Sequence, residues 1–257
     1  MWALVTGASS GIGRDMSRYL FSLGYNLVII ARNKNELEKL KKELIEKDKS
    51  KEILVIEKDL SKTENCIDIY NTTKQKNIDI DLLVNNAGFG VFGEFTKTDL
   101  NNEINLINTN ITAVHILTKL YLKDMSRKNN GKILNVASIA GMEPGPLMAA
   151  YYASKAYVIR LSRAINKELK RQKSNIKISV LCPGPVDTNF NNVANVKFKA
   201  PSASSEKVAK YGIDKALKGK LIIVPGFLNK CVRFFSKLIP DCILESAAYH
   251  IQVRKRK

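Results

Sequence analysis

Tyr151 and Lys155 stand four residues apart inside Ala149–Arg171, a stretch with helical periodicity. An i,i+4 spacing puts both on one helix face, one turn apart. A phenol with a pKa near ~10 is a poor acid–base group at neutral pH, and a neighbouring ammonium favours its ionised form. Tyr152 forms no such pair, because its i+4 residue is Ala156. Ser138 follows an apolar run, Lys132–Val136. Its hydroxyl can hydrogen-bond a substrate oxygen while Tyr151 gives or takes the proton. The chemistry these three would perform is proton transfer at a carbonyl or alcohol oxygen.

A second set of residues suits an anion. The run Trp2–Thr6 leads into Gly7-Ala8-Ser9-Ser10-Gly11-Ile12-Gly13 and then a helical pattern. Gly7 permits a tight turn, and Gly11 and Gly13 let backbone approach a pyrophosphate at the helix N-terminus. There, free N–H groups and the helix dipole favour negative charge. The spacing is Gly-x-x-x-Gly-x-Gly, not the commoner Gly-x-Gly-x-x-Gly. After the next apolar run come Ala31 and Arg32. An acid at this point would hold a ribose 2′-hydroxyl; a cation suits a 2′-phosphate, which favours NADP(H) over NAD(H).

These groups need a frame. The expected strands are Trp2–Thr6, Asn26–Ala31, Ile53–Glu57, Leu82–Asn85, Lys132–Val136, Lys177–Cys182 and Leu221–Val224. Several are unbroken Val/Ile/Leu runs, as in strands covered on both faces. The expected helices are Gly11–Leu23, Asn35–Lys47, Thr63–Lys76, Leu100–Lys128, Ala149–Arg171 and Ser205–Lys218. This alternation predicts an α/β, doubly wound Rossmann-type fold with a seven-stranded parallel sheet. Ligands of such sheets bind beyond the strand carboxyl ends. The polar motifs fall there: Asp59-Leu60, Asn85-Asn86-Ala87-Gly88, Ser138, and Pro183-Gly184-Pro185-Val186-Asp187-Thr188.

Together these residues resemble the short-chain dehydrogenase/reductase family in its smaller form, from Trp2 to about Val224. The resemblance implies a nicotinamide-dependent oxidoreductase that needs no metal. It implies a catalytic Ser138, Tyr151 and Lys155, completed by a helical Asn. Asn105, Asn108 and Asn110 compete for that role, and the downstream Leu117-Thr118-Lys119 selects Asn110. The cofactor would be held by Gly7, Ser9, Ser10, Gly11, Ile12 and Gly13, by Arg32, and by Asp59 and Leu60. Asn86, Ala87, Gly88, Tyr151, Lys155, Pro183, Gly184, Val186 and Thr188 would complete its site. Members of the family commonly form dimers or tetramers through helices that correspond here to Leu100–Lys128 and Ala149–Arg171.

The 257 residues suit one large domain. Residues 1–225 would form its body and 226–257 a basic, amphipathic helical extension. Leu228, Cys231, Val232, Phe235, Leu238 and Ile239 fall on one face of that extension, and the chain ends Arg254-Lys255-Arg256-Lys257. It can cover its own fold, lid an apolar substrate, meet a partner subunit, or lie on an anionic membrane. The net charge of +18 comes without any nucleic-acid-binding motif, so no nucleic acid is expected. Glu–Lys pairs such as Glu38–Lys42 and Glu43–Lys47 read as a solvated helix face. Four cysteines without Cys-x-x-Cys spacing read as reduced thiols, and with no signal-peptide pattern the expected location is cytoplasmic.

Overall fold

The computed structural model describes residues 1–188, 203–226, 229–230 and 239–253. Seven parallel strands form one sheet in the order β3-β2-β1-β4-β5-β6-β7. They are β1 (Trp2–Thr6), β2 (Asn26–Ala31), β3 (Ile53–Glu57), β4 (Ile80–Asn85), β5 (Lys132–Val136), β6 (Lys177–Leu181) and β7 (Ile222–Ile223). The strand order reverses between β1 and β4, and a ligand crevice opens at such a point. The two strands pair in register from Ala3↔Leu82 to Val5↔Val84.

Both sheet faces are covered, which is why the strands are apolar throughout. Ala3 and Val5 join one core with Met16 and Leu20 of α1 (Gly11–Ser22), Leu37 and Leu44 of α2 (Lys34–Lys47) and Ile213 of α7 (Ser205–Leu217). Leu4, pointing the other way, joins Ile69 of α3 (Thr63–Gln75) and Leu117 and Tyr121 of α5 (Ala113–Lys128). Val158 and Ile159 of α6 (Ala149–Arg171) cover the β5–β6 end of that second face with Val180.

Two expectations change. The single helix over Leu100–Lys128 is instead α4 (Leu100–Ile107), a π turn at Asn108–Thr112, and then α5. A π turn carries an extra residue per turn without breaking the helix axis, so a periodicity reading passes through it. On α2, Glu43–Lys47 forms at 2.9 Å. No Glu38–Lys42 pair forms among the described residues; Glu36 instead takes Lys39 at 2.7 Å and Arg14 at 2.6 Å. Most of the amphipathic stretch from Leu228 to Ile239 lies outside the described residues, but a further helix, α8 (Asp241–Val253), follows Pro240. Its inward side is Leu244, Ala248 and Gln252, spaced four apart. No described helix is long and apolar enough to cross a membrane.

Candidate active site

A cavity of about 710 Å³ opens along the carboxyl ends of the strands, from Arg32 at one end to Tyr152 at the other. That volume suits a cofactor and small-molecule site. Its floor at the switch point is laced by side chains. The Thr6 hydroxyl accepts from the backbone N–H groups of Asn86 (2.9 Å) and Ala87 (3.0 Å), and the Asn86 amide donates to the Thr6 carbonyl at 3.0 Å. Gly7, with φ +66°, passes so close that a Cβ there would lie 2.9 Å from Ala87 Cα.

The helix that follows starts at Gly11 with no side-chain cap and no acidic residue in its first turn. Its first N–H groups are therefore open to an anion, and Ser9, Ser10, Gly11 and Ile12 line the cavity beside them. Gly13 does not line it. A Cβ there would sit 2.3 Å from both the Gly7 carbonyl oxygen and the Asn86 amide, so this glycine serves close helix–strand packing. Arg32 lies exposed at the cavity end and makes no hydrogen bond or ion pair among the described residues. Asp59, Leu60, Asn86, Ala87 and Gly88 line the wall, and Pro183, Gly184, Val186 and Thr188 face them.

Ser138, Tyr151 and Lys155 meet at the other end. The Tyr151 and Ser138 hydroxyls hydrogen-bond one another. The Ser138 oxygen also accepts from Ala140 N–H at 3.1 Å. Lys155 Nζ donates to the Val136 carbonyl at 3.0 Å and stands 5.8 Å from the Tyr151 ring centre. Burial dominates both groups. It pushes the Tyr151 phenol up to about 12, against the smaller downward pull of Ser138, and lowers the Lys155 ammonium to about 8. The lowering of Tyr151 expected from Lys155 is not found; desolvation disfavours the charged form of each group. Within the protein's own walls Tyr151 holds its proton.

Asn110 sits in the π turn, fully buried, while Asn105 is exposed and Asn108 half-buried. Its amide donates to the Phe89 carbonyl (2.9 Å) and the Ser154 hydroxyl (3.0 Å), and its oxygen accepts from Phe89 N–H (3.1 Å). It lies behind the cavity wall, not in it. The space beside Gly88 is closed by both groups: a Cβ there would lie 2.9 Å from Asn110 Oδ1 and 3.2 Å from Lys155 Nζ.

Sequence reading missed three contributors. Arg14 lines the cavity, donating from Nε to the Ser9 carbonyl at 2.9 Å and pairing with Glu36. It directly follows the glycine motif, so its position was a usable signal. Tyr152 walls the substrate end with Met142, Glu143 and Met148. Gln252 reaches it from α8, a contact that nothing local in the sequence announces. No group of His, Cys, Asp and Glu among the described residues could hold a metal.

Residues 1–198 match the family described as short chain dehydrogenase. The chain is 37% identical over 199 residues to 17-beta-hydroxysteroid dehydrogenase type 3 of Homo sapiens, covering 76% of this chain and 62% of that protein. It thus spans less than two thirds of that relative's length. Among solved structures, a short-chain dehydrogenase from Sphingobium yanoikuyae in complex with NADPH superposes with a TM-score of 0.81 at 24% identity, covering 93% of this chain and 96% of that one. A short chain dehydrogenase/reductase from Burkholderia phymatum in complex with NAD gives 0.79 at 23% identity, covering 87% and 88%. The matched residues carry the glycine loop, the switch-point lacing and the Ser–Tyr–Lys cluster, and the chain belongs to the short-chain dehydrogenase/reductase family of oxidoreductases.

Proposed function

We propose that this chain transfers a hydride between the nicotinamide of NADP(H) and the carbonyl or alcohol carbon of an apolar small molecule. The observation that carries the reading is one cavity joining an uncapped helix N-terminus, an unengaged Arg32 and the Tyr151–Ser138–Lys155 cluster. The residues present fit the dinucleotide. The glycine loop and the N–H groups of α1 would hold its pyrophosphate, and Arg32, beside Arg14, its 2′-phosphate. Asp59 and Leu60 would flank the adenine, Asn86 its ribose, and Pro183, Gly184, Val186 and Thr188 the nicotinamide. When bound, the cofactor supplies or accepts the hydride.

The protein's own part is to hold the oxygen and move a proton. Ser138 and Tyr151 hydrogen-bond the substrate oxygen, and Tyr151, kept protonated by burial, donates its proton to that oxygen as reduction proceeds. Lys155, whose own proton is weakly held, would return a proton to Tyr151, and a water held by Asn110 would resupply the relay. Phe89, Met142, Met148 and Tyr152 make the substrate end mainly apolar.

Two assembly proposals accompany this. Leu100, Ile104 and Ile107 form an exposed stripe on α4, which supports self-association through that face into a dimer or tetramer. Ile243, Tyr249 and Val253 are exposed on α8 just before the basic end of the chain, which supports peripheral contact with an anionic membrane.

Separate titrations with NADPH and NADH, alongside an Arg32→Ala variant, test the cofactor reading. NADPH binds at least about tenfold more tightly, a difference of roughly 1.4 kcal/mol, and the variant erases the difference. Binding of neither nucleotide would leave the glycine loop a plain turn and remove the basis for the enzyme reading.

A further inference from the structure

The contact between α8 and the cavity wall has hydrogen-bonding capacity to spare. Gln252 is only 1% exposed, and its Nε2 donates to the Tyr152 hydroxyl at 2.6 Å. Its Oε1 is buried without a partner. Tyr152, accepting that bond, keeps its own O–H proton with no acceptor among the described residues. Turning the amide over leaves a buried N–H unpaired instead. In the orientation the structure has, the unused donor is the Tyr152 O–H, and polar groups left unpaired are costly.

Tyr152 is fixed in place from several sides. Its ring lies against Gly145, where a Cβ would come within 2.2 Å of it. It meets the Tyr151 ring edge-on at 6.1 Å between centres, so the two phenols share one corner of the cavity. Burial and the nearby Glu143 carboxylate raise the Tyr152 phenol to about 12, so it remains a donor at any ordinary pH. Glu143 also lines this corner, and its charge disfavours a carboxylate there.

Building on the oxidoreductase reading above, we infer that Tyr152, held by Gln252, is a second substrate-binding hydroxyl that selects carbonyl compounds bearing another uncharged acceptor oxygen near the reacting one. Ester, thioester and ketone oxygens have the required chemistry. Gln252 is a positioning residue in this arrangement: it acts only through Tyr152.

The test compares two chains of matched shape, ethyl 3-oxohexanoate and 4-nonanone, as substrates with NADPH. Their dissociation constants from the NADP⁺-loaded protein are measured as well. The native chain should favour the ketoester. Tyr152→Phe should lose about tenfold on the ketoester, in kcat/KM and in affinity, the loss expected for one buried hydrogen bond of roughly 1.4 kcal/mol. On the ketone the loss should be several-fold smaller than on the ketoester. Gln252→Leu should show the same selective loss, with kcat on the ketone retained. An equal loss on both compounds would make Tyr152 a wall only, and no loss would remove it from the substrate; either overturns the inference. The enzyme reading fails differently: ketone turnover would then be absent from the native chain, while the binding constants would still report the preference.

Discussion

At the scale of the residue, the chemistry rests on two buried groups whose protonation burial has set in opposite directions. Replacing Tyr151 by Phe removes one hydroxyl and little volume. Turnover should fall by about a thousandfold while NADPH affinity stays within a few-fold, since general acid–base groups contribute roughly 10²–10⁴. Stopped-flow nucleotide binding and steady-state rates on one preparation check both halves; retained turnover would refute the assignment. Lys155 offers a test that needs no substrate. Its ammonium titrates at about 8 in the folded chain against 10.5 for an unperturbed lysine. Between those values the unfolded chain holds a proton that the folded chain has released, so stability rises with pH across that window, by about 3 kcal/mol. Tyr151 acts oppositely, but only above its ordinary pKa of 10. Urea denaturation of the cofactor-free protein at pH 7.5 and 10 should show the rise, and Lys155→Met should flatten it. Identical slopes would mean that the ammonium is hydrated when folded. Ser138, Tyr151 and Lys155 were legible in sequence because each follows a strand or sits at helix spacing. Their protonation was not, because burial is a property of the packed fold, and it raises Tyr151 where the spacing to Lys155 suggests a lowering.

At the scale of the element, the π turn decides which asparagine matters. Asn105, Asn108 and Asn110 are nearly equivalent as letters in one helical stretch. Only the wider turn at Asn108–Thr112 accompanies a buried Asn110 with its amide on Phe89. Asn110→Ala would leave the Phe89 N–H and carbonyl and the Ser154 hydroxyl short of a partner. It should lower stability by about 1–3 kcal/mol, measured by thermal or urea unfolding. Through displacement of the Gly88–Phe89 loop it should also cut kcat/KM on the order of a hundredfold. A variant with native stability and rate would make the π turn incidental. The strands were easier to read, because apolar runs covered on both faces leave a plain signal; their edges shifted by only one or two residues. Helix α8 falls within the helical extension expected over 226–257, but its inward side was not read, because it offers one long aliphatic, Leu244, beside Ala248 and the polar Gln252. A stripe of that composition carries almost no amphipathic signal.

At the scale of the whole molecule, the proposed membrane contact joins the positive charge to the outward face of α8. Ile243, Tyr249 and Val253 would enter the headgroup region, and Arg254, Lys255, Arg256 and Lys257 would meet anionic lipid. The chain should co-sediment with vesicles containing a third phosphatidylserine at low salt and be released as salt rises. Tyr249→Glu should weaken the binding. Equal sedimentation with neutral vesicles would argue against an electrostatic contribution. The lacing of Thr6 to Asn86, described above as the cavity floor, also has a bearing on how the chain acquires its activity. The two residues are 80 positions apart, with β2, β3 and their helices made in between. A contact that closes so long a loop forms late, after local helices have appeared. Nucleotide binding should therefore lag helix formation during refolding, so that cofactor affinity measures completed assembly and a growing chain stays inert until β4 has docked beside β1.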